Sequence, residues 1–273
     1  MWRGWSRGRA IRDGLTVAGL AFSAYLFLVT APAAGTLGFD AFAYWSVDVE
    51  RPYRLAAGEF GAFPYSPVMV RAFAPASLLP WPAFLTLWLG VLLATAVWLG
   101  RRWTLVVLAL PPVALELYHG NVHLLLAAAI ALGFRYPAAW AFVLLTKVTP
   151  GVGLLWFAVR REWRRLAIAL GVTGLLVAVS LALDARLWAE WLSEGLARVA
   201  TRPLDQPHLD IPLWLRLPAA ALLVGWGART DRRWTVPVSA ALALPVLWFA
   251  GLSVLVAAFA LDRPALRERG AAA

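Results

Sequence analysis

Apolar runs recur from one end of this chain to the other, and most of them close on a short cluster of arginines. Residues 14–33, 83–100, 166–183 and 211–228 each approach the ~20 residues that a helix needs to cross a hydrocarbon core. With 62% hydrophobic residues, 15% charged residues and a mean hydropathy of +0.71 over 273 residues, the chain cannot hide its apolar surface in one soluble core. It must be dissolved in lipid. The fold class expected is an all-α polytopic membrane protein, with about eight to ten membrane segments, some short or broken, and interfacial helices on its outer side.

The net charge of +10 could suggest nucleic acid. The arginines, however, lie between apolar runs, where they set topology, so nucleic acid is not an expected partner and membrane lipid is. No cysteine is present and the three histidines are scattered without metal-ligand spacing, which excludes thiol chemistry and gives no metal site. No nucleotide-binding loop is visible, and no cofactor is expected.

The chain reads as one integral membrane domain, 1–273. The basic start, residues 1–13, holds Arg3, Arg7, Arg9 and Arg12 and is cytoplasmic by the positive-inside bias; with the apolar run after it, it resembles a signal anchor rather than a cleaved signal peptide. Residues 34–64 then form an outer loop, in which 39–58 pattern as an interfacial helix. Residues 65–79 read as an interfacial or re-entrant helix, with Ser66 as its cap and Pro67 at its first position. Residues 103–118 and 122–134 are each about 15 long, or roughly 22 Å of helix against a core of about 30 Å. Too short to cross cleanly, they should place His119-Gly120-Asn121 below the membrane surface, on the floor of a cavity open to the outer side.

Residues 138–159 are apolar but interrupted by Thr146-Lys147-Val148-Thr149-Pro150-Gly151, and Lys147 is the only lysine in the chain. Should both flanks be cytoplasmic, this stretch dips in and out as two half-helices with Lys147 near the tip; otherwise it is one kinked span. A second outer loop, 184–210, carries a second interfacial helix. Residues 234–261 are one long span or a hairpin bent at Pro245, with the basic tail favouring the hairpin, and 262–273 is a disordered tail. The first outer loop holds Asp40, Asp48, Glu50 and Glu59 among aromatic side chains, so any chemistry should be anchored there. A lone ammonium at membrane depth is costly unless paired or wetted, which makes Lys147 a functional candidate.

Taken in order, these residues resemble a known family. The motifs are Asp40-Ala41-Phe42-Ala43-Tyr44-Trp45 in the first outer loop, Tyr65-Ser66-Pro67, Gly120-Asn121 before a short apolar helix, and Lys147-Val148-Thr149-Pro150 ahead of a basic loop. This order resembles glycosyltransferase family 87, the polyprenyl-phosphate-sugar-dependent transferases of the GT-C fold, over residues 14–180. Pro245 and Trp248 answer to the family's late Pro-x-x-Trp element. The family's Gly-Gln-x-Asn is His119-Gly120-Asn121 here, without the glutamine, and the nearest match to its Asn-Gln-Ser-like element is Asp205-Gln206-Pro207. The chain is short for the family and is expected to lack several C-terminal helices.

The resemblance implies transfer of a hexose, by default mannose, from a polyprenyl-phosphate-sugar donor to a lipid or glycan acceptor hydroxyl at the outer face of the plasma membrane, with inversion. Such chemistry needs a carboxylate base, positive charge for the departing phosphate and an apolar groove for the prenyl chain. Asp40 is the expected base, with a helix cap as the alternative reading. Lys147 is the expected phosphate ligand, assisted by Arg51, Arg54 and Arg71; a structural ion pair and interfacial anchoring are the alternatives. His119 and Asn121 are candidates to bind sugar or acceptor, or else to satisfy the open backbone at the helix junction. Tyr44, Trp45 and Tyr65 could stack on sugar, or belong to an aromatic belt. His123 reads as packing and Glu116 as a partner for a histidine. A transporter or flippase, and a non-catalytic partner subunit, are the competing functions; substitution of Asp40 separates them from an enzyme.

Overall fold

The computed structural model describes residues 7–56, 58–196 and 208–261. Among these, three helices are long and apolar enough to cross a membrane, four if one bent pair counts as a span. They are α1 (Gly8–Ala34), the stretch Trp81–Leu108, and α10 (Trp163–Leu183). Between α1 and the second of these lie two short helices, α2 (Phe39–Trp45) and α3 (Pro67–Phe73). Arg101 has φ 48° and turns the chain, so the second stretch divides into α4 (Trp81–Gly100) and α5 (Thr104–Leu108), the latter folded back against the former. Only 11% of the spanning window is buried in α1 and in α10. Leu15, Leu28 and Leu175 point outward, an apolar exterior that only lipid accommodates.

The interior is built from short pieces. α6 (Pro111–His119) and α7 (His123–Gly133) turn back on each other through 113°. α8 (Pro137–Thr146) and α9 (Thr149–Val159) meet at Lys147. After α11 (Ala185–Glu190) and α12 (Leu213–Arg229), α13 (Thr235–Leu242) and α14 (Ala250–Leu261) form the third pair. The three pairs pack on one another and on α4 and α12 around Trp140, Trp156, Phe157, Leu126 and Leu244, all fully buried. Non-helical backbone at this depth is tolerated because it is buried in protein rather than presented to lipid.

The feet of the hairpins share one end of the molecule. The Arg233 guanidinium lies over the Phe134 ring at 5.4 Å, Phe134 meets Trp156 at 5.4 Å, and Arg160 donates to the Ala228 carbonyl at 3.1 Å and reaches Asp231 at 3.2 Å. Arg12 and Arg102 both lie over Trp103. Residues 138–159 therefore leave this arginine end and return to it, as a hairpin with Lys147 at its tip. At about 1.5 Å per residue, the ten residues of α8 rise about 15 Å, half of the ~30 Å core. Residues 234–261 likewise form a bent pair, since α13 and α14 pack together across the break that contains Pro245.

The opposite end gathers the acidic loops. Asp48 pairs with Arg54 at 3.6 Å, Arg71 with Asp184 at 3.8 Å, Arg186 donates to the Glu50 carbonyl at 3.1 Å and Trp191 to the Pro64 carbonyl at 3.1 Å. Two expectations need correction here. The helix expected over 39–58 stops at Trp45: Asp48 accepts from the backbone of Glu50 and Arg51 and folds a turn, and Pro52 follows. Ser66 does stand before Pro67 at the start of α3, but its hydroxyl is buried and makes no cap bond. Asp205-Gln206-Pro207 and the tail 262–273 lie outside the described residues.

Candidate active site

The site forms where α2 rests on the tip of the first hairpin. Gly120 ends α6 with φ 69°, and a Cβ there would stand 2.7 Å from the Ala41 Cβ, so a glycine lets α2 settle directly on the turn. The Gly38 N–H donates to the Tyr118 carbonyl at 2.8 Å and the Trp88 indole to the Gly120 carbonyl at 2.7 Å, fixing the turn from both sides.

Asp40 and Asn121, 81 positions apart, meet there. The Asn121 amide donates to Asp40 Oδ2 at 2.7 Å, while its oxygen accepts from the Val122 N–H at 2.7 Å and from the Tyr44 hydroxyl at 3.3 Å. Tyr44 in turn lies 2.9 Å from the Tyr65 hydroxyl. Because the Tyr44 proton goes to Asn121, Tyr65 donates to Tyr44, and the chain of bonds runs in one direction toward Asp40. Asp40 is not a cap: the residue before α2 is Gly38, and the carboxylate accepts from no backbone N–H among the described residues. Its Oδ1 carries no protein hydrogen bond among the described residues.

Lys147 completes the wall. Its Nζ stands 5.8 Å from the centre of the Tyr65 ring and has no hydrogen bond or ion pair among the described residues. The charges of Asp40 and Glu116 both act on this ammonium. Asp40 and Lys147 are each half-buried, so each keeps some accessible surface. Burial holds the Asp40 carboxyl above its ordinary value of 3.8; the Asn121 bond and the charge of His119 pull it back, and Glu116 adds to the rise. Tyr44 and Tyr65 are enclosed, and burial pushes both phenols up, so they remain hydrogen-bond donors. His119 is half-buried with its ring 6.5 Å from Phe39.

Of the residues expected from sequence, the structure thus brings together Asp40, Tyr44, Tyr65, His119, Asn121 and Lys147. It does not bring the arginines or Trp45 to this wall. Arg51 is exposed, Arg54 is engaged by Asp48, and Arg71 turns to Asp184. Trp45 packs on Trp81 and donates to the Leu79 carbonyl at 2.8 Å.

Two further residues support the wall: Tyr53, which the sequence did not mark as part of a site, and Glu116, which meets the histidine partner expected for it. Tyr53 donates to the Tyr65 carbonyl at 3.0 Å and fixes that residue from behind. Glu116 is fully buried beneath the turn, where its carboxylate accepts from the His123 and Leu124 backbone and meets the His123 ring at 2.9 Å. Its only signal in the sequence was a charge inside an otherwise apolar run.

Residues 63–273 match the family model described as glycosyltransferase family 87. The matched stretch takes in Tyr65, His119, Asn121 and Lys147, begins after the helix that bears Asp40, and continues well past the 14–180 range of the sequence resemblance. No curated protein and no solved structure matches the chain.

Proposed function

This chain belongs to glycosyltransferase family 87, of the GT-C superfamily, and on that footing we propose that it moves a hexose, by default mannose, from a polyprenyl-phosphate carrier to a hydroxyl of a lipid or glycan acceptor. The observation that carries this reading is the pairing of an unsatisfied carboxylate oxygen with an unsatisfied ammonium across one hydrogen-bonded wall. The two groups have the opposite charges that the two ends of such a displacement require.

In this reading the acceptor oxygen attacks the anomeric carbon as the bond from that carbon to the phosphate oxygen breaks. The acceptor proton passes to Asp40 Oδ1, the oxygen that Asn121 leaves open. The raised proton affinity that burial gives Asp40 makes it a better base at neutral pH than an exposed aspartate. The departing polyprenyl phosphate gains a negative charge, which the Lys147 ammonium meets. Attack from the face opposite the leaving group inverts the anomeric centre. Asn121 orients Asp40, and the Tyr65-Tyr44 chain orients Asn121. His119 stands beside Asp40, on the acceptor side. Arg51, Arg54 and Arg71, each exposed or held elsewhere, have no role in the step. With the arginine end in the cytoplasm by the positive-inside bias, the reaction faces the outside of the plasma membrane.

The test is reconstitution in lipid with polyprenyl-phosphate-mannose and mixed acceptor lipids, following release of polyprenyl phosphate. Release that depends on acceptor and disappears in Asp40→Asn is expected. No release with several donor sugars, or release unchanged by Asp40→Asn, would overturn the reading.

A further inference from the structure

Asp40 is held by Asn121, so whatever fixes Asn121 also fixes the base. Besides the bonds from Gly38 and Trp88, the turn that carries Asn121 is braced on both of its flanks by one residue, Glu116. The main-chain carbonyl of Glu116 accepts from the Gly120 and Asn121 N–H groups at 2.8 and 3.3 Å, on the α6 side of the turn. Its side chain crosses to the other side, where Oε1 accepts from the N–H groups of His123 and Leu124, the first residues of α7. Glu116 therefore spans the turn as a strut, its backbone on one helix and its carboxylate capping the next. Such a carboxylate satisfies donors that would otherwise be orphaned, and it sits at the positive end of the α7 dipole.

His123 locks the strut in place. Its Nδ1 faces Glu116 Oε2 at 2.9 Å, whereas its Nε2 is buried with no partner. A buried N–H without an acceptor is costlier than a bare ring nitrogen, so the proton sits on Nδ1 and is donated to Glu116. With both oxygens occupied, the carboxylate cannot rotate. Both side chains are essentially fully enclosed, which excludes substrate contact. Their position directly under the Asn121 turn is more specific than core packing requires.

We infer that Glu116, locked by His123, is a positioning residue of the transfer reaction: it holds the Asn121 turn in the geometry that presents Asp40 to the acceptor. This rests on the transferase reading above only for its catalytic consequence. Loss of the strut should tilt Asn121, whereas Glu116→Gln, which removes the charge that also acts on Lys147 but keeps an oxygen for the backbone donors, reads the electrostatic part of any change. The positional effect should therefore fall on kcat in Glu116→Ala beyond any change that Glu116→Gln shows in kcat or in the KM for the donor.

Two measurements on the full-length protein in lipid nanodiscs test this. In the first, release of polyprenyl phosphate from polyprenyl-phosphate-mannose is followed for Glu116→Ala, Asn121→Ala and the double variant. Glu116→Ala should lose about 100-fold in kcat, the scale of an ångström-level misplacement, and the double variant should be no slower than the slower single one. Additive losses, or a rise in donor KM in place of a fall in kcat, would overturn the inference. In the second, which needs no turnover, amide hydrogen exchange is compared across residues 117–124 and 39–46. Glu116→Ala should accelerate both. Glu116→Gln keeps an oxygen for the two backbone donors and should leave 117–124 close to the parent protein. Unchanged exchange in Glu116→Ala would refute the strut. If the parent protein shows no transfer while exchange behaves as described, the transferase reading fails and the strut stands.

Discussion

Two hairpin breaks in this molecule carry a basic side chain close by, and they treat it in opposite ways. At the α13–α14 break, the Arg216 guanidinium reaches in from α12 and donates to the carbonyls of Ile211, Leu242, Leu244 and Pro245 at 2.6 to 3.2 Å. At the α8–α9 break, the Lys147 ammonium has a ring face 5.8 Å away and no hydrogen bond among the described residues. Arginine offers a rigid fork of donors that can saturate an open helix end, whereas lysine is a point charge that must find its counter-charge. The first cation is consumed by the fold. The second makes no such bond among the described residues, which is why the proposed reading gives it the phosphate.

The carboxylates repeat the contrast. Asp184 Oδ1 caps α11 by accepting from the Arg186 and Leu187 N–H groups, and Oδ2 faces Arg71 and Arg186. Asp40 accepts only from Asn121 and keeps Oδ1 open.

The sharpest way to break this comparison is to neutralise both aspartates. Asp40→Asn should lower kcat by about 10²- to 10⁴-fold, the range of general base catalysis, while Asp184→Asn should stay within a few-fold of the parent protein in the polyprenyl phosphate release assay. The same pair sharpens it through stability. A carboxyl raised by burial stabilises the fold fully below its unfolded value near 3.8 and loses that contribution as pH rises through its folded value. Asp40→Asn should therefore melt no lower than the parent at pH 7, and Asp184→Ala should lose about 1 kcal/mol with its cap. A destabilised Asp40→Asn would make that aspartate structural.

The two cations should dissociate next. Arg216→Met leaves several enclosed carbonyls without a donor and should lose about 3 kcal/mol or more, read by thermal or denaturant unfolding in detergent. Lys147→Met should lose no stability and should fail in turnover. Equal behaviour of the two variants would erase the distinction.

A smaller effect lies in the pH profile. Because Asp40 must be ionised to accept a proton and burial raises it above 3.8, kcat/KM should fall on the acid side with a midpoint above that value. Asn121→Ala removes the bond that lowers Asp40, so its midpoint should move to still higher pH. The smallest effect expected is Tyr65→Phe, which removes one donor from the chain behind Asn121. About 1 kcal/mol, or several-fold in kcat, is the scale of a single neutral hydrogen bond.

The sequence made the scaffold readable because its constraints are local. Runs of about 15 residues are too short to cross lipid, so residues 103–134 had to break, and for 138–159 a hairpin with Lys147 at its tip was one of two readings, the other being a kinked span. What stayed hidden depends on pairing across the chain. Asn121 finds Asp40 over 81 positions and Arg216 reaches carbonyls 26 to 29 residues on, and no periodicity encodes either partner. Nothing local to Arg216 names the carbonyls it reaches. The misread helix over 39–58 has a local cause: an apolar periodicity that continued past the turn at Asp48, where a side chain captured the backbone N–H groups.

In the transferase reading, Lys147 is open because its partner is the phosphate of a lipid-linked sugar. The most direct measurement is equilibrium binding of polyprenyl-phosphate-mannose to Asp40→Asn protein in nanodiscs, with and without Lys147→Met. A charge-assisted bond of about 1.5 to 3 kcal/mol predicts that the second substitution weakens binding by about 10- to 150-fold. Equal affinity in the two proteins would mean that Lys147 does not hold the phosphate.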